Sequence, residues 1–372
     1  MPKLPSFSSI AGDSGQKRTR WESVIISTPV VLTVLATVLA GLSSSEMSSS
    51  QYFRSLAAQM QSKVSDQWAF YQAKRFREME CQNTLGVLEG LNQLAPDDGQ
   101  NLQAAAQELI ERMNRTAAAT SADSQKLHEP LARAQSLVAG IGRAATRPAE
   151  AVVLRYASDV PGPLDVQAPS GERGQPLADS QIADVVRAIG DGTPEATTEQ
   201  LAGRIDPARL NDALALAAKN SADFQTAAAP VTLAADQLQK AIREIALSAG
   251  EFERAAGTRV VGATDIGDQL RRLRSIWTGI RLRLDASRYE GDARDNQVLA
   301  QLYEVWVRKD GFASERHRLR SKQFFYGMLG AQAGVTIATL SLAVQRRSLL
   351  WGIAAAAGLF AVSFAAYVYL FV

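Results

Sequence analysis

The sequence predicts an all-α membrane protein with one N-terminal transmembrane helix, a long helical, coiled-coil-like soluble region and a C-terminal hairpin of two transmembrane helices. Residues 24–42, 323–344 and 348–372 contain no charged side chain. The polar region between them repeats apolar residues at three- and four-residue steps, which is typical of amphipathic helices. That region shows no alternating pattern of convincing strand length.

The first uncharged stretch, 24–42, follows a basic N-terminal tail at residues 1–23. It is close to the length that a helix needs to cross about 30 Å of hydrocarbon. The alternative is a cleaved signal peptide, for which Val38-Leu39-Ala40 would be an acceptable cleavage site. An uncleaved anchor is favoured because the apolar stretch is longer than a usual signal-peptide core.

The other two uncharged stretches, 323–344 and 348–372, are separated by a very short polar turn. Two helices joined so closely must be antiparallel and in contact. Gly330 and Gly334 form a small-xxx-small pair, which lets helix backbones approach closely in lipid and offers a face for self-association. The alternative is that glycine is simply common in spans.

A basic cluster, formed by Arg316, Arg318, Arg320 and Lys322, directly precedes the second uncharged stretch. We expect it to contact anionic lipid headgroups, although a generic interfacial anchor would have the same composition. The expected location is a multi-pass inner cell membrane protein with a cytoplasmic N-terminus and an extracytoplasmic middle region. A cytoplasmic basic cluster would instead favour the opposite orientation.

The soluble region divides into three segments, 43–95, 96–257 and 258–322. Residues 43–50 suggest a serine-rich spacer, and a long amphipathic helix follows to about Gln93. Residues 96–257 are alanine-rich and are expected to form an extended or mobile arm with a loop at 158–175. The helices predicted within this arm span 101–137, 179–189, 207–219 and 232–255, with Pro130 and Pro148 as interruptions. Residues 258–322 should return as a helix to the membrane.

The sequence offers little sign of chemistry. A net charge of +2 argues against nucleic acid as a partner. The two histidines, His128 and His317, have no metal-ligating neighbour at three or four residues, and one cysteine cannot form a multi-cysteine metal site. No phosphate-binding loop or nucleophile elbow is present. We therefore predict no catalytic, cofactor-binding or metal-binding residue and do not expect an enzyme.

Residues 65–74 read SDQWAFYQAK, the most distinctive string in the chain. It resembles the SDQWAYYQAK segment of an uncharacterised bacterial membrane protein family, a domain of unknown function of the 4337 type. The resemblance covers roughly the first 90 and last 100 residues and implies the same order of one span, a helical middle and two spans. Residues 96–250 depart from it and suggest an insertion. The resemblance implies no site residue.

Four aromatic residues are candidates for a structural contact between the first long helix and the returning helix. They are Trp68, Tyr71, Trp277 and Trp306. The leading functional hypothesis is a membrane-anchored helical scaffold or interaction protein that self-associates, with the lipid bilayer as its partner. The alternative is a membrane sensor or signalling accessory whose helical region binds a ligand or partner.

Overall fold

The computed structural model describes residues 20–90, 102–119, 124–144, 148–155, 175–256, 263–343 and 347–371. These residues contain helices and short turns but no strand, which confirms the all-α class. The helices are α1 (Arg20–Gly90), α2 (Leu102–Ala119), α3 (Ser124–Ala144), α4 (Pro148–Arg155), α5 (Ser180–Gly190), α6 (Glu195–Gly203), α7 (Pro207–Ala256), α8 (Ala263–Ala343) and α9 (Arg347–Phe371).

Three of these helices, α1, α8 and α9, contain a segment that is long and apolar enough to cross a membrane. They coincide with the three uncharged stretches, so the prediction of apolar helices at these places is confirmed. Residues 1–19, 156–174 and 344–346 lie outside the described residues. They include most of the basic N-terminal tail, nearly all of the predicted loop at 158–175 and most of the predicted polar turn before residue 348. The predicted break after Gln93 also lies outside the described residues, since α1 is described to Gly90.

The expected serine-rich spacer at 43–50 is wrong, because α1 continues through it without a break. The serine hydroxyls bond within the helix: Ser48 Oγ donates to the Ser44 carbonyl at 3.0 Å, and Ser49 Oγ donates to the Ser45 carbonyl at 3.1 Å. Serine composition favours a spacer locally, but hydroxyls satisfied in this way are compatible with a helix.

The chain forms two compact units. Unit 1 contains residues 1–59, 194–204 and 307–372, and unit 2 contains residues 60–193 and 205–306. The helices α1 and α8 therefore contribute residues to both units.

In unit 1, the apolar segments of α1, α8 and α9 pack around two small clusters. Their buried members are Leu32, Ala36, Leu39, Phe324, Ala331, Ala338, Ala354, Ala361 and Val368. Two glycines allow this close packing. A Cβ atom at Gly358 would lie 2.5 Å from Leu32 Cδ2, and one at Gly334 would lie 3.2 Å from Leu32 Cδ1 and 3.4 Å from the Ala354 carbonyl. Trp351 Nε1 also donates to Thr28 Oγ1 at 2.9 Å, which ties α9 to α1.

Unit 2 has a substantial core, so the expected extended arm is wrong for the described part of residues 96–257. Helix α7 packs against α2, α3 and α4. Phe224, Phe252 and Trp277 provide bulky buried surface among many leucine, isoleucine and alanine side chains. Phe224 and Phe252 belong to the alanine-rich segment itself, whereas Trp277 comes from the segment that follows it, so the core combines both segments.

The prolines interrupt fewer helices than expected. Pro130 lies inside α3, and α7 runs through Pro230, so the predicted helices at 207–219 and 232–255 form one helix. Each proline removes one backbone hydrogen bond, and burial of neighbouring side chains such as Leu131 and Val231 offsets that loss. Pro148 instead begins α4, where proline is favoured.

The shorter helices agree with the predicted ones to different degrees. The expected helix at 101–137 is described as α2, which ends at Ala119, and α3, which begins at Ser124. Helix α5 matches the expected 179–189 helix, because the Asp179 carboxylate caps it by accepting from the Gln181 and Ile182 amides. Helix α6 was not predicted.

Candidate functional site

The unit 1 part of α1 buries side chains at alternating four- and three-residue steps. The residues that follow this spacing, each buried or half-buried, are Leu32, Ala36, Leu39, Ser43, Glu46, Ser50 and Phe53. The first three are apolar and lie in the uncharged stretch, whereas the next three are polar. The same face of α1 therefore changes from an apolar contact to a polar one just after the first predicted span.

These polar residues meet polar residues of α8, and we call the six together the polar seam. The polar seam consists of Ser43, Glu46 and Ser50 of α1 and Ser314, His317 and Ser321 of α8. The pairs run in opposite directions along the two helices, so α1 and α8 are antiparallel in unit 1.

The serine pairs of the polar seam are bonded to backbone as well as to each other. Ser43 Oγ donates to the Ser321 carbonyl at 3.0 Å, and Ser321 Oγ donates to the Ser43 carbonyl at 2.8 Å. Ser314 Oγ donates to the Ser50 carbonyl at 3.0 Å, and the two hydroxyl oxygens of that pair are 3.2 Å apart. Such contacts require helix backbones that approach closely, which only small side chains permit.

Between the two serine pairs lies the titratable pair Glu46 and His317. His317 Nδ1 is 2.6 Å from Glu46 Oε2, and both side chains are half-buried. The imidazole also stacks on the Phe53 ring, with centroids 5.4 Å apart and planes at 7°. This contact links α1 to α8 between the two serine pairs.

The basic cluster lies on the same part of α8, and its four members have different surroundings. Arg316 and Arg318 are exposed, and Arg318 Nη1 donates to Glu315 Oε2 at 3.2 Å. Arg320 is half-buried, and the Lys322 ammonium lies 6.0 Å from the centre of the Tyr326 ring. The contact of this cluster with lipid headgroups stays a prediction.

Unit 2 contains a buried carboxylate that sequence reasoning missed. Asp292 of α8 has a side chain that is only 1% exposed. Lys74 Nζ of α1 donates to Asp292 Oδ2 at 2.6 Å, and Gln225 Nε2 of α7 donates to Asp292 Oδ1 at 2.5 Å. We call these three residues the Asp292 junction. It joins three helices through one carboxylate, and both of its oxygens have a donor.

Close packing of α7 and α8 accompanies the Asp292 junction. A Cβ atom at Gly291 would overlap the Phe224 ring, so glycine lets the two helices approach closely here. The Lys74 ammonium also lies 5.5 Å from the centre of the Tyr289 ring, a cation–π contact. No local pattern marks Asp292, because its partners are 218 and 67 residues away.

The aromatic candidates lie in unit 2, where they do not form one cluster. Trp68 and Tyr71 are half-buried neighbours on α1, with ring centroids 5.4 Å apart and edge-on at 87°. Trp277 is buried in the core of unit 2. Trp306 is half-buried, and its buried Nε1 has no hydrogen-bond partner within the part of the chain that the structure describes. The residue of the SDQWAFYQAK string that reaches the returning helix with a hydrogen bond is Lys74 rather than a tryptophan.

The two glycine candidates also differ. Gly334 faces Leu32 and α9, as described above, whereas a Cβ atom at Gly330 would meet nothing within 4 Å. Gly330 therefore makes no close helix–helix contact in the described part of the chain. Self-association through the pair stays a prediction.

The pKa is raised for the Cys81 thiol and the Glu199 carboxyl, which both lie outside the predicted spans. Burial raises the pKa of the Cys81 thiol, and the nearby Asp285 and Glu80 carboxylates raise it further. Burial also raises the pKa of Glu199, assisted by Glu195 and Glu315 and opposed by Arg308. Among the described residues, no three histidine, cysteine or acidic side chains are grouped so that they could hold a metal ion.

Residues 22–146 match the model of a family described as "Domain of unknown function (DUF4337)". The match includes α2 and α3, so the expected insertion beginning at residue 96 is wrong for that part of the chain. It supports resemblance to a family without an assigned function. Neither a curated protein nor a solved structure matches the chain significantly.

Proposed function

We propose that this chain is a membrane-anchored helical scaffold or interaction protein. Its three apolar helices cross an inner cell membrane, and unit 2 lies in water. The exposed side chains of these helices support the anchor. Val30, Val31 and Val34 of α1 and Leu359 and Phe360 of α9 are exposed on the surface. A contiguous apolar surface of this kind is unfavourable in water and is covered by lipid in a membrane protein.

The polar seam is the observation that carries the scaffold hypothesis. It holds α1 and α8 in one register through hydrogen bonds that serine hydroxyls of each helix donate to backbone carbonyls of the other. Because register is fixed just outside the predicted spans, the two helices can leave the membrane as one defined pair. A scaffold requires helices that are held in a fixed arrangement, and it does not require a reactive group.

Three finer features belong to the same proposal. The seven-residue repeat of buried positions on α1 is the pattern of a left-handed coiled coil, in which α8 is the partner of α1. The basic cluster contacts anionic headgroups at the membrane surface. The N-terminus is cytoplasmic and unit 2 extracytoplasmic.

The alternative is a membrane sensor or signalling accessory, and the Glu46–His317 pair is the observation that favours it. This half-buried contact links two span-bearing helices, so a rearrangement of one helix would be transmitted to the other. A ligand sensor would also need an enclosed site. The surface depression of unit 2 that is lined by Leu233, Gln237 and Lys240 is formed by α7 alone and encloses little.

Alkaline extraction of membranes tests the anchor, and substitution in the polar seam tests the scaffold. The full chain should remain in the membrane pellet at high pH. Ser321→Leu should separate α1 from α8 and increase protease cleavage near the seam, whereas Ser48→Leu, which changes an exposed position of α1, should not. Release of the native chain into the soluble fraction would exclude the anchor. Equal cleavage of both variants would exclude the seam as the fixing contact.

A further inference from the structure

In unit 2, one face of α1 has no partner among the described residues. The inward face carries the buried or half-buried residues Val64, Gln67, Tyr71, Lys74, Glu78, Cys81, Leu85 and Leu88. On the opposite side we define the outer face of α1 as Ser62, Ser65, Asp66, Ala69, Gln72, Ala73, Phe76, Met79, Glu80, Asn83, Gly86 and Val87. Each of these residues is exposed.

The outer face of α1 is unusually poor in charge for a helix surface in water. It has two carboxylates, Asp66 and Glu80, and no cation. A solvated face normally carries charges of both signs. This face therefore differs from one that is adapted to water alone.

The cations of the same segment lie on other sides of the helix. Lys63 lies 5.4 Å from the centre of the Tyr303 ring, and Arg77 lies 5.8 Å from that of Tyr289. Lys74 donates to Asp292, and Arg75 Nη1 donates to Glu78 Oε2 at 2.6 Å. The four cations are therefore engaged with α8 or within α1, and the outer face is left nearly neutral.

Large apolar side chains project from the outer face. Phe76 is 68% exposed, Val87 is 60% exposed and Met79 is 52% exposed. Ala69, Ala73 and Gly86 lie between them at helical spacing, so a second helix could approach closely. No residue in the described ranges covers this face.

We propose that a second copy of this chain covers the outer face of α1, with the two α1 helices parallel. This inference rests on the proposed membrane anchoring. Anchored copies share one orientation and one depth, so equal residues lie opposite each other. A nearly neutral face suits such self-pairing, because few like charges meet. The same positions of the seven-residue repeat are also exposed in the apolar part of α1, where they are occupied by Val31, Val34 and Val38.

The size of the outer face indicates how such a pair would behave. From residue 62 to residue 87 an α-helix rises about 38 Å, and a contact band about 10 Å wide buries roughly 400 Å² per copy. The total of roughly 800 Å² is below the range of about 1,200–2,000 Å² that is typical of stable soluble complexes. The pair should therefore form where the membrane raises the effective concentration and dissociate on dilution in detergent.

Disulfide cross-linking of the full chain in membranes tests the proposal. In a Cys81→Ala background, Phe76→Cys or Ala69→Cys should give a dimer on mild oxidation. Gln82→Cys is the matched control, because residue 82 is also exposed on the same helix but lies outside the outer face. Dilution in detergent before oxidation should abolish the dimer.

Neutralising the two carboxylates distinguishes a second copy from a different partner. Asp66→Asn with Glu80→Gln should increase the Phe76→Cys dimer at least about twofold, because two pairs of like charges are removed. If the partner were instead a different protein with a basic surface, removing the two carboxylates would weaken its binding and abolish its cross-link. The proposal is overturned by equal dimer yield at residues 76 and 82, by a cross-link to another protein in place of the dimer, or by a decrease on neutralisation. Alkaline extraction tests anchoring separately, so a chain that is anchored but monomeric contradicts only this inference.

Discussion

Lys74 Nζ lies 2.6 Å from Asp292 Oδ2, in a contact where the carboxylate side chain is 1% exposed and the lysine side chain is 27% exposed. Isolating a carboxylate from water is costly, and the cost is recovered only while charge partners and hydrogen bonds remain. The pair also joins residues 218 positions apart in the chain. It therefore ties α1 to α8 in unit 2 through an ion pair whose carboxylate is shielded from water.

Replacing Lys74 by methionine should destabilise unit 2. The substitution keeps the aliphatic stem but leaves the buried Asp292 charge without its cation, and Gln225 remains as a neutral donor. Loss of one partner of a buried pair costs about 3–5 kcal/mol, and we expect roughly 2–3 because Lys74 is partly exposed. Thermal unfolding of the full chain in detergent measures the change.

The double variant Lys74→Met with Asp292→Asn should recover much of the loss, because no buried charge is then unpaired. Arg187→Met is the control, since it breaks an ion pair with Asp184 in which both side chains are mostly exposed. That control should cost less than about 0.5 kcal/mol. Equal losses for Lys74→Met and Arg187→Met would show that the Asp292 junction is unimportant for stability.

Gly291→Ala should destabilise unit 2 by about 1–3 kcal/mol, because the new methyl group would overlap the Phe224 ring. Gly250→Ala is the opposite case, since a Cβ atom there meets nothing within 4 Å. Alanine has the higher helix propensity, so this control should stabilise by about 0.5–1 kcal/mol. Melting temperatures of the two variants should move in opposite directions, and a shift of the same sign would contradict the assigned contact.

Gly358→Ile should disrupt the packing of the apolar helices in unit 1. Its Cβ atom would lie 2.5 Å from Leu32 Cδ2, whereas a Cβ atom at Gly352 would meet nothing within 4 Å. Gly352→Ile should therefore be tolerated, and Leu32→Ala should partly rescue Gly358→Ile by opening space. Retention of the folded, monodisperse chain after mild heating in detergent provides the measurement. Equal behaviour of the two isoleucine variants would contradict this packing.

Glu199→Gln should stabilise unit 1 at neutral pH. The pKa of Glu199 is raised in the folded chain, first by burial and then by Glu195 and Glu315. A raised folded-state pKa means that stability is lost as the pH rises from the ordinary glutamate pKa through the folded-state value. Glutamine avoids this loss. The variant should therefore have a higher melting temperature than the native chain at pH 7 and the same melting temperature at about pH 3.5.

Glu195→Gln is the matched control for that pH profile, because it removes the carboxylate that is ion-paired with Arg308. Its effect at pH 7 should be small or of opposite sign, since its side chain is mostly exposed. A melting difference for Glu199→Gln that stays constant between about pH 3.5 and pH 7 would show that ionisation of Glu199 is not its cause.

Local sequence signals predicted the apolar helices and helix α5. The three uncharged stretches predicted the apolar helices, and the helix predicted at 179–189 is one that the structure shows to be capped by the Asp179 carboxylate. Such features act within a few residues of each other, so a sequence pattern can reveal them.

The polar seam and the Asp292 junction were not predictable in this way. Ser43 and Ser50 suggest a spacer until Ser321 and Ser314 are placed against them, and Lys74 looks like a solvated cation until Asp292 is seen. Pro130 and Pro230 similarly suggest helix ends, although burial of their neighbours keeps α3 and α7 intact. In each case a long-range contact outweighs the local preference.

The separation of Ser43 and Ser321 by 278 residues has a consequence for biosynthesis. At roughly 5–20 residues per second, a ribosome adds Ser321 about 14–56 s after Ser43. During that interval the first apolar helix has neither of its two companions, and the hydroxyls beside it face solvent or lipid. The contacts between α1 and α8 in unit 1 therefore form only after most of the chain has been made, and a chain released before Ser314 would lack the α8 half of the polar seam.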